Sequence, residues 1–242
     1  MPILKEFELD APYIEDKEAM KKLAEDNGWE YYQATRYDYD LNWKEKRFYF
    51  STQSRCVTSF YERCFEAFKT NDCWKIQVQC VSNRTAIPKV VGGVYEVQVI
   101  YEIDKFFQLS DEKKKITALE LLYQGITEIL KVENWDSYRF YNAYTCVVNG
   151  DFINKWIWKH QKTSPNRKYV AKVLCEHNVY SCDISIIVLD KNDNEIKKAK
   201  VTSTKPDEWF FSKYFGELKW LSNAEVALYS KDRKSCFRVI IE

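Results

Sequence analysis

The sequence predicts an α+β fold, with antiparallel sheets and a few amphipathic helices in the N-terminal half and a mainly β, meander- or sandwich-like C-terminal half. Three observations carry this. Apolar residues recur at helical spacing in three windows before residue 135. Alternating β-formers dominate after Ser164-Pro165-Asn166. No Pro/Gly/Ser-rich linker separates the two regimes. The expected organisation is an α+β half over 1–135, with helices near 14–26, 54–69 and 110–131, and an antiparallel β half over 136–242, the two packed as one unit.

Ile3, Phe7 and Leu9 give a weak two-residue beat. Met20, Leu23 and Ala24 mark the first helix, stopped at Asn27-Gly28, where glycine can take a left-handed conformation. Tyr37, Tyr39, Leu41 and Trp43 alternate with Asp38, Asp40, Asn42 and Lys44, which predicts a half-buried strand, and Phe48 and Phe50 a second one. Val57, Phe60, Tyr61, Cys64, Phe65 and Phe68 share one helical face, with Ser54 as the cap. Trp74, Ile76, Val78 and Cys80 predict a strand. The plan is clearest from Val90 to Lys131: a Gly92-Gly93 turn, an interior strand from Val94 to Asp104, then a helix from Ser110 to Lys131. Asp111 and Glu112 suit the positive end of that helix dipole. Leu121 points away from its apolar stripe, so burial of Leu121 requires a cover on a second side.

Residues 137–161 fit a helix or a hairpin. Asn149-Gly150 between β-formers favours the hairpin. Strands are then expected at Lys168–His177, Tyr180–Leu189, Glu195–Thr202, Ala224–Tyr229 and Ser235–Ile241, with an aromatic-rich connection from Trp209 to Leu221.

A chain of 242 residues can bury a large core without staples. Only 6 Gly and 5 Pro argue against phosphate-cradling loops, while 17 Tyr, 14 Phe and 8 Trp suit sheets and interfaces. A net charge of +1 gives no overall drive toward nucleic acid or anionic membranes. The N-terminus carries acids where a signal peptide needs an apolar run, and no apolar run approaches the roughly 20 residues of a membrane span. The expected location is the cytoplasm, with all eight cysteines reduced.

No Cys-x-x-Cys, nucleophile elbow, Walker loop or dinucleotide fingerprint occurs. The nearest approach to a metal site is Cys175, His177 and Cys182, with Cys236 as a fourth ligand, if Asn178-Val179 is a tight turn that sets Cys175 opposite Cys182. Alternating cysteines on strands serve equally as small apolar fillers, so no metal and no cofactor is expected. His160 and His177 are the only histidines, and a dyad with Cys146 has no local support. Asp38 and Asp40 share a strand face. Asp190, Asn192 and Asn194 lack the Gly and Glu of a calcium loop. Arg47–Phe50 and Arg139–Tyr141 mix basic and aromatic residues without the glycines of RNA-recognition signatures.

These exclusions leave a non-catalytic, intracellular protein-binding module as the leading expectation. Its candidate anchors are Trp156, Trp158, Trp209 and Trp220. In composition it is similar to bacterial immunity proteins, which neutralise a partner toxin by covering it. Two alternatives stand beside it: a structural or assembly subunit of a phage or secretion machine, and an enzyme or small-ligand binder whose groups converge only on folding.

Overall fold

A computed structural model describes residues 1–241. The chain is α+β, helices mostly N-terminal and strands mostly C-terminal, and it divides into two compact units that meet in sequence at Phe152 and Ile153. Unit 1 contains β1 (Ile3–Leu4), β2 (Glu6–Asp10), α1 (Lys17–Asn27), α2 (Tyr31–Asp38), a π-helical turn (Tyr39–Trp43), α3 (Lys44–Cys64), β3 (Phe68–Lys69), β4 (Lys75–Val81), β5 (Lys89–Val91), β6 (Val94–Ile100), α4 (Ile103–Phe107), α5 (Asp111–Leu130) and α6 (Ser137–Asn149). Unit 2 contains β7 (Asn154–Ile157), β8 (Lys162–Thr163), β9 (Val170–His177), β10 (Cys182–Leu189), β11 (Glu195–Thr204), α7 (Glu208–Phe211), β12 (Glu217–Trp220), β13 (Glu225–Tyr229) and β14 (Cys236–Ile240).

The main sheet of unit 1 runs β2-β4-β6-β5. Its β2/β4 and β4/β6 pairs are parallel, and β5 returns antiparallel against β6 through Gly92 and Gly93, both at positive φ. Parallel neighbours need a long crossover, and the helices between β2 and β4 supply it. β6 is interior as expected, but it ends at Ile100, which is exposed, and Ile103 and Asp104, expected to continue the strand, begin α4 instead. Helix α5 packs on β2, β4 and β6 and also on α3 and α6. Leu121 is accordingly only 5% exposed. An aromatic cluster fills the space under α3 and α6: the Phe7 ring lies 4.8 Å from Tyr61 and 4.7 Å from Phe65, edge-on in both cases.

The segment expected to be strands at 37–50 is helical. Its charges pair at the i, i+4 spacing of a helix: Asn42 Nδ2 donates to Asp38 at 2.7 Å and Lys44 Nζ to Asp40 at 2.8 Å. Alternate residues of a helix lie about 200° apart around its axis, so Tyr37, Tyr39, Leu41 and Trp43 do not share one face. Tyr39 and Trp43 turn partly inward, while Tyr37 and Leu41 stay exposed. The helix expected at 54–69 therefore begins at Lys44, and it ends at Cys64, because Phe65 is extended. Ser54 is no cap. It is buried mid-helix and donates to Ser51 O, as Thr52 does to Phe48 O.

The hairpin expected across 137–161 is instead helix α6 followed by β7. Asp136 caps the helix by accepting from Tyr138 N at 3.0 Å, and Phe140, Ala143 and Val147 form its buried stripe. Asn149-Gly150 ends the helix, and the positive φ angles fall on Asp151 and Phe152. This moves the boundary expected at 135/136, because α6 belongs to unit 1. Tyr61 donates to Phe140 O at 2.9 Å, and a Cys64–Cys146 disulfide ties α6 to the end of α3. The expectation of eight reduced thiols is corrected for this pair.

Unit 2 is antiparallel throughout. One sheet runs β11-β10-β9-β7, with β8 also on β9, and a second runs β12-β13-β14. Its core gathers Val173, Ile184, Ile186, Val226, Leu228 and their neighbours.

Candidate functional site

The carboxyl ends of β2, β4 and β6 lie together on unit 1, and open parallel sheets bind ligands beside such ends. At the end of β2, buried Asp10 receives Arg47 Nε and Nη2, both at 2.7 Å. The bond to Asp10 raises the Arg47 pKa further. Chain 11–14 then crosses the sheet end. Trp43 Nε1 donates to Ala11 O at 2.9 Å, and the Tyr13 hydroxyl donates to Asp38 Oδ2 at 2.6 Å. Burial and that carboxylate push the Tyr13 phenol up.

A cavity of about 280 Å³ opens here, with Trp43, Tyr101, Ile103, Cys80 and Val81 among its lining residues. Pro12, Ile14, Ser82, Glu102 and Asp104 complete the lining. Two shallower grooves follow α2. One of about 470 Å³ lies among Trp29, Tyr32, Arg36 and Tyr37, and one of about 400 Å³ among Tyr13, Tyr31, Tyr32 and Tyr39. All three hollows thus border the excursion from Pro12 to Trp43, between β2 and α3. On it, Tyr32 is 67% and Leu41 65% exposed, and Tyr31 and Tyr37 are exposed as well. Asp38 and Asp40 do not act together. Asp38 holds Tyr13 and Asn42, while Asp40 holds Lys44 and Arg36.

The shifted carboxyl groups move down: Asp40 and Glu176 through lysine hydrogen bonds, Asp190 and Asp232 through local ones. Burial moves Cys56 up to about 12 and raises Cys73 and Cys80 too. These shifts run away from neutrality, the opposite of what acid–base work at neutral pH requires.

The tryptophans expected as anchors have different surroundings. Trp156 and Trp158 are partly buried, with rings 6.1 Å from Phe211 and 5.6 Å from Phe215. Trp220 is buried, and its Nε1 donates to Lys162 O at 2.8 Å. Trp209 is 85% exposed. Cys175 and Cys182 sit in the core of unit 2, and Cys182 pairs with His177 rather than Cys175, because residues 178–181 form a wider turn closed by Asn178 N to Ser181 O at 2.7 Å. The His177 ring bonds Pro206 O at 2.9 Å, and Cys236 is exposed on the other sheet. Among the described residues no group of three or more His, Cys, Asp or Glu side chains is arranged to hold a metal ion.

The disulfide removes Cys146 from any dyad, and the His160 ring rests against Trp158 at 4.4 Å. Asp190 accepts from the backbone of Asn192 and Asn194, as in an Asx turn. Arg139 pairs with Glu66 at 2.8 Å. The exposed residues of α2 escaped the sequence reading. The i, i+4 pairs of 36–44 were the signal that could have revealed that helix.

No helix among the described residues is long and apolar enough to cross a membrane. The chain matches no known family model, no curated protein and no solved structure.

Proposed function

We propose that this chain is a non-catalytic protein-binding module and that it recognises its partner through α2 and the π turn. The observation that carries the reading is the exposure of Tyr31, Tyr32, Tyr37 and Leu41 on one short stretch, with Arg36 among them and a groove on either side. Tyrosine and arginine are enriched at binding hot spots, where a rigid ring adds contact area at little entropic cost. The irregular π turn supports the same reading, since such turns gather at functional places. In its immunity-type form the module works in the cytoplasm and blocks a partner toxin sterically, with aromatic anchors inside a charged rim. Trp209 offers a separate anchor on unit 2.

The test is capture of partners from native lysate by the wild-type chain and by a Tyr32→Ala, Tyr37→Ala, Leu41→Ala triple variant. Affinity for the captured protein should fall at least about 100-fold, as when hot spots are truncated. Stability should change by no more than about 0.5 kcal/mol per site, because the side chains are exposed. Undiminished capture by the triple variant would overturn the reading.

A further inference from the structure

We propose that the cavity at the carboxyl ends of β2, β4 and β6 binds a small organic cation, with an apolar stem about the length of a lysine side chain. The site shares the π turn with the proposed protein-binding face through Trp43, but it uses none of Tyr31, Tyr32, Tyr37 and Leu41. Buried Val81 and Ile103 give it apolar surface. Trp43 and Tyr101 line it with aromatic surface, and the Trp43 indole is fixed by its bond to Ala11 O. At the rim stand Glu102 and Asp104, both carboxylates well exposed and each paired with an exposed lysine, Glu102 with Lys105 Nζ at 3.3 Å and Asp104 with Lys46. Apolar side chains, two aromatic rings and two carboxylates held only by exposed, displaceable lysines together select an amphipathic cation. The stem replaces water on the rings, and the ammonium or guanidinium group meets a π face and a carboxylate.

The chain already makes this contact with a group of its own. Lys46 Nζ lies 2.9 Å from Asp104 Oδ1 and 6.0 Å from the centre of the Trp43 ring. That pair is exposed, so it is weak and displaceable. Unit 1 as a whole carries 20 basic against 25 acidic residues, a net charge of −5, which favours a cationic visitor over an anionic one. Lys46 does not line the cavity, but it competes with a cationic ligand for the Asp104 carboxylate.

The experiment follows the indole N–H resonance of Trp43, identified by its loss in Trp43→Phe, during titration of the full chain. The probes are butylammonium, N-acetyl-lysine amide and N-acetyl-arginine amide, with N-acetyl-norleucine amide as the neutral control. A saturable shift with the cations and none with norleucine is expected. Binding of butylammonium alone assigns the site to free amines, and binding of the capped amino acids assigns it to a side chain presented by a polypeptide. Both uphold the cation site. Glu102→Gln and Asp104→Asn should each weaken binding roughly threefold to tenfold, and Lys46→Gln should tighten it roughly twofold to fivefold, the range for exposed ion pairs. Equal binding of norleucine, no shift with any cation, or weaker binding in Lys46→Gln overturns the proposal. The triple variant of α2 should bind the cations as the wild type does, so loss of partner capture and loss of cation binding are separate failures.

Discussion

Arg55 and Glu62 stand seven residues apart on α3 and together hold the main chain of Phe7. The two side chains are joined by a pair of 2.8 Å hydrogen bonds. Glu62 Oε1 accepts from Phe7 N at 2.9 Å, and Arg55 Nη1 donates to Phe7 O at 3.2 Å. Phe7 lies on β2, the edge of the parallel sheet, so the ion pair offers the donor and acceptor that a further strand would offer. Glu62→Ala leaves a part-buried amide and a guanidinium short of their acceptor and should cost about 3 kcal/mol. Arg55→Ala should cost a similar amount, and the double variant less than the sum, with a coupling of about 1–3 kcal/mol. Urea midpoints of the four proteins measure this, and strict additivity would show that the two residues act separately.

Gly125 sets how closely α5 approaches the sheet. A Cβ there would clash with both methyl groups of Val78, which is fully buried on β4. Alanine at a helical glycine ordinarily stabilises by about 1 kcal/mol. Here overpacking outweighs that gain, and Gly125→Ala should destabilise by about 1–3 kcal/mol. Adding Val78→Ala makes room for the new methyl, so the double variant should be more stable than the two separate losses imply. A neutral Gly125→Ala would mean that α5 stands farther from β4.

What could be read in advance follows from which forces leave a periodic trace. The α5 stripe, the β9–β11 alternation and the Gly92-Gly93 turn all bury apolar groups at fixed intervals, and their elements lie within a few residues of expectation. Helix α3 was legible only in its second half, because its first half buries Thr52 and Ser54, whose hydroxyls bond backbone carbonyls of the preceding turn. Tyr37 to Trp43 misled for a related reason. Aromatic alternation suggested a sheet, while the Asp–Asn and Asp–Lys spacing of one helical turn was the quieter, contrary signal. The cavity of Trp43, Tyr101, Glu102 and Asp104 was not legible at all. It brings Trp43 on the π turn to the chain just beyond β6, about 60 positions later, and no local pattern announces that tertiary contact.

Unit 2 should lose stability in acid through Glu176. Its carboxylate takes Lys155 Nζ and Lys198 Nζ, each at 2.8 Å, and is only 19% exposed. The Lys155 hydrogen bond, then that of Lys198, holds its folded pKa below the ordinary glutamate value of 4.5. Below that ordinary value the unfolded chain binds the proton more readily than the folded one. The contribution is therefore complete above about pH 5 and fades as pH falls through the folded pKa. Thermal melts between pH 7 and pH 3 should show a smaller acid loss in Glu176→Gln than in the wild type, and a lower Tm for the variant at pH 7. Parallel pH profiles for the two proteins would refute this role.

The Cys64–Cys146 bridge should be the thiol chemistry that solvent can reach and that stability feels. It joins the end of α3 to α6 across 82 residues, and long loops gain most when the unfolded chain is tethered. Cys146 is exposed, whereas Cys56, Cys73, Cys80, Cys175 and Cys182 are buried. Native alkylation of the oxidised protein should mark Cys236, and mild reduction should add Cys64 and Cys146 while the buried five stay unmarked. A Cys64→Ser, Cys146→Ser variant should lose about 3 kcal/mol, which for a unit of this size lowers Tm by roughly 6–12 °C. Reduction of the wild type should reproduce that loss and leave the double variant unchanged. If reduction lowers both melting temperatures equally, the effect lies outside this bridge. Trapping free thiols at the moment of cell lysis then bears on location. A bridge found intact points to an oxidising compartment, and a reduced pair points to the cytoplasm expected from the sequence.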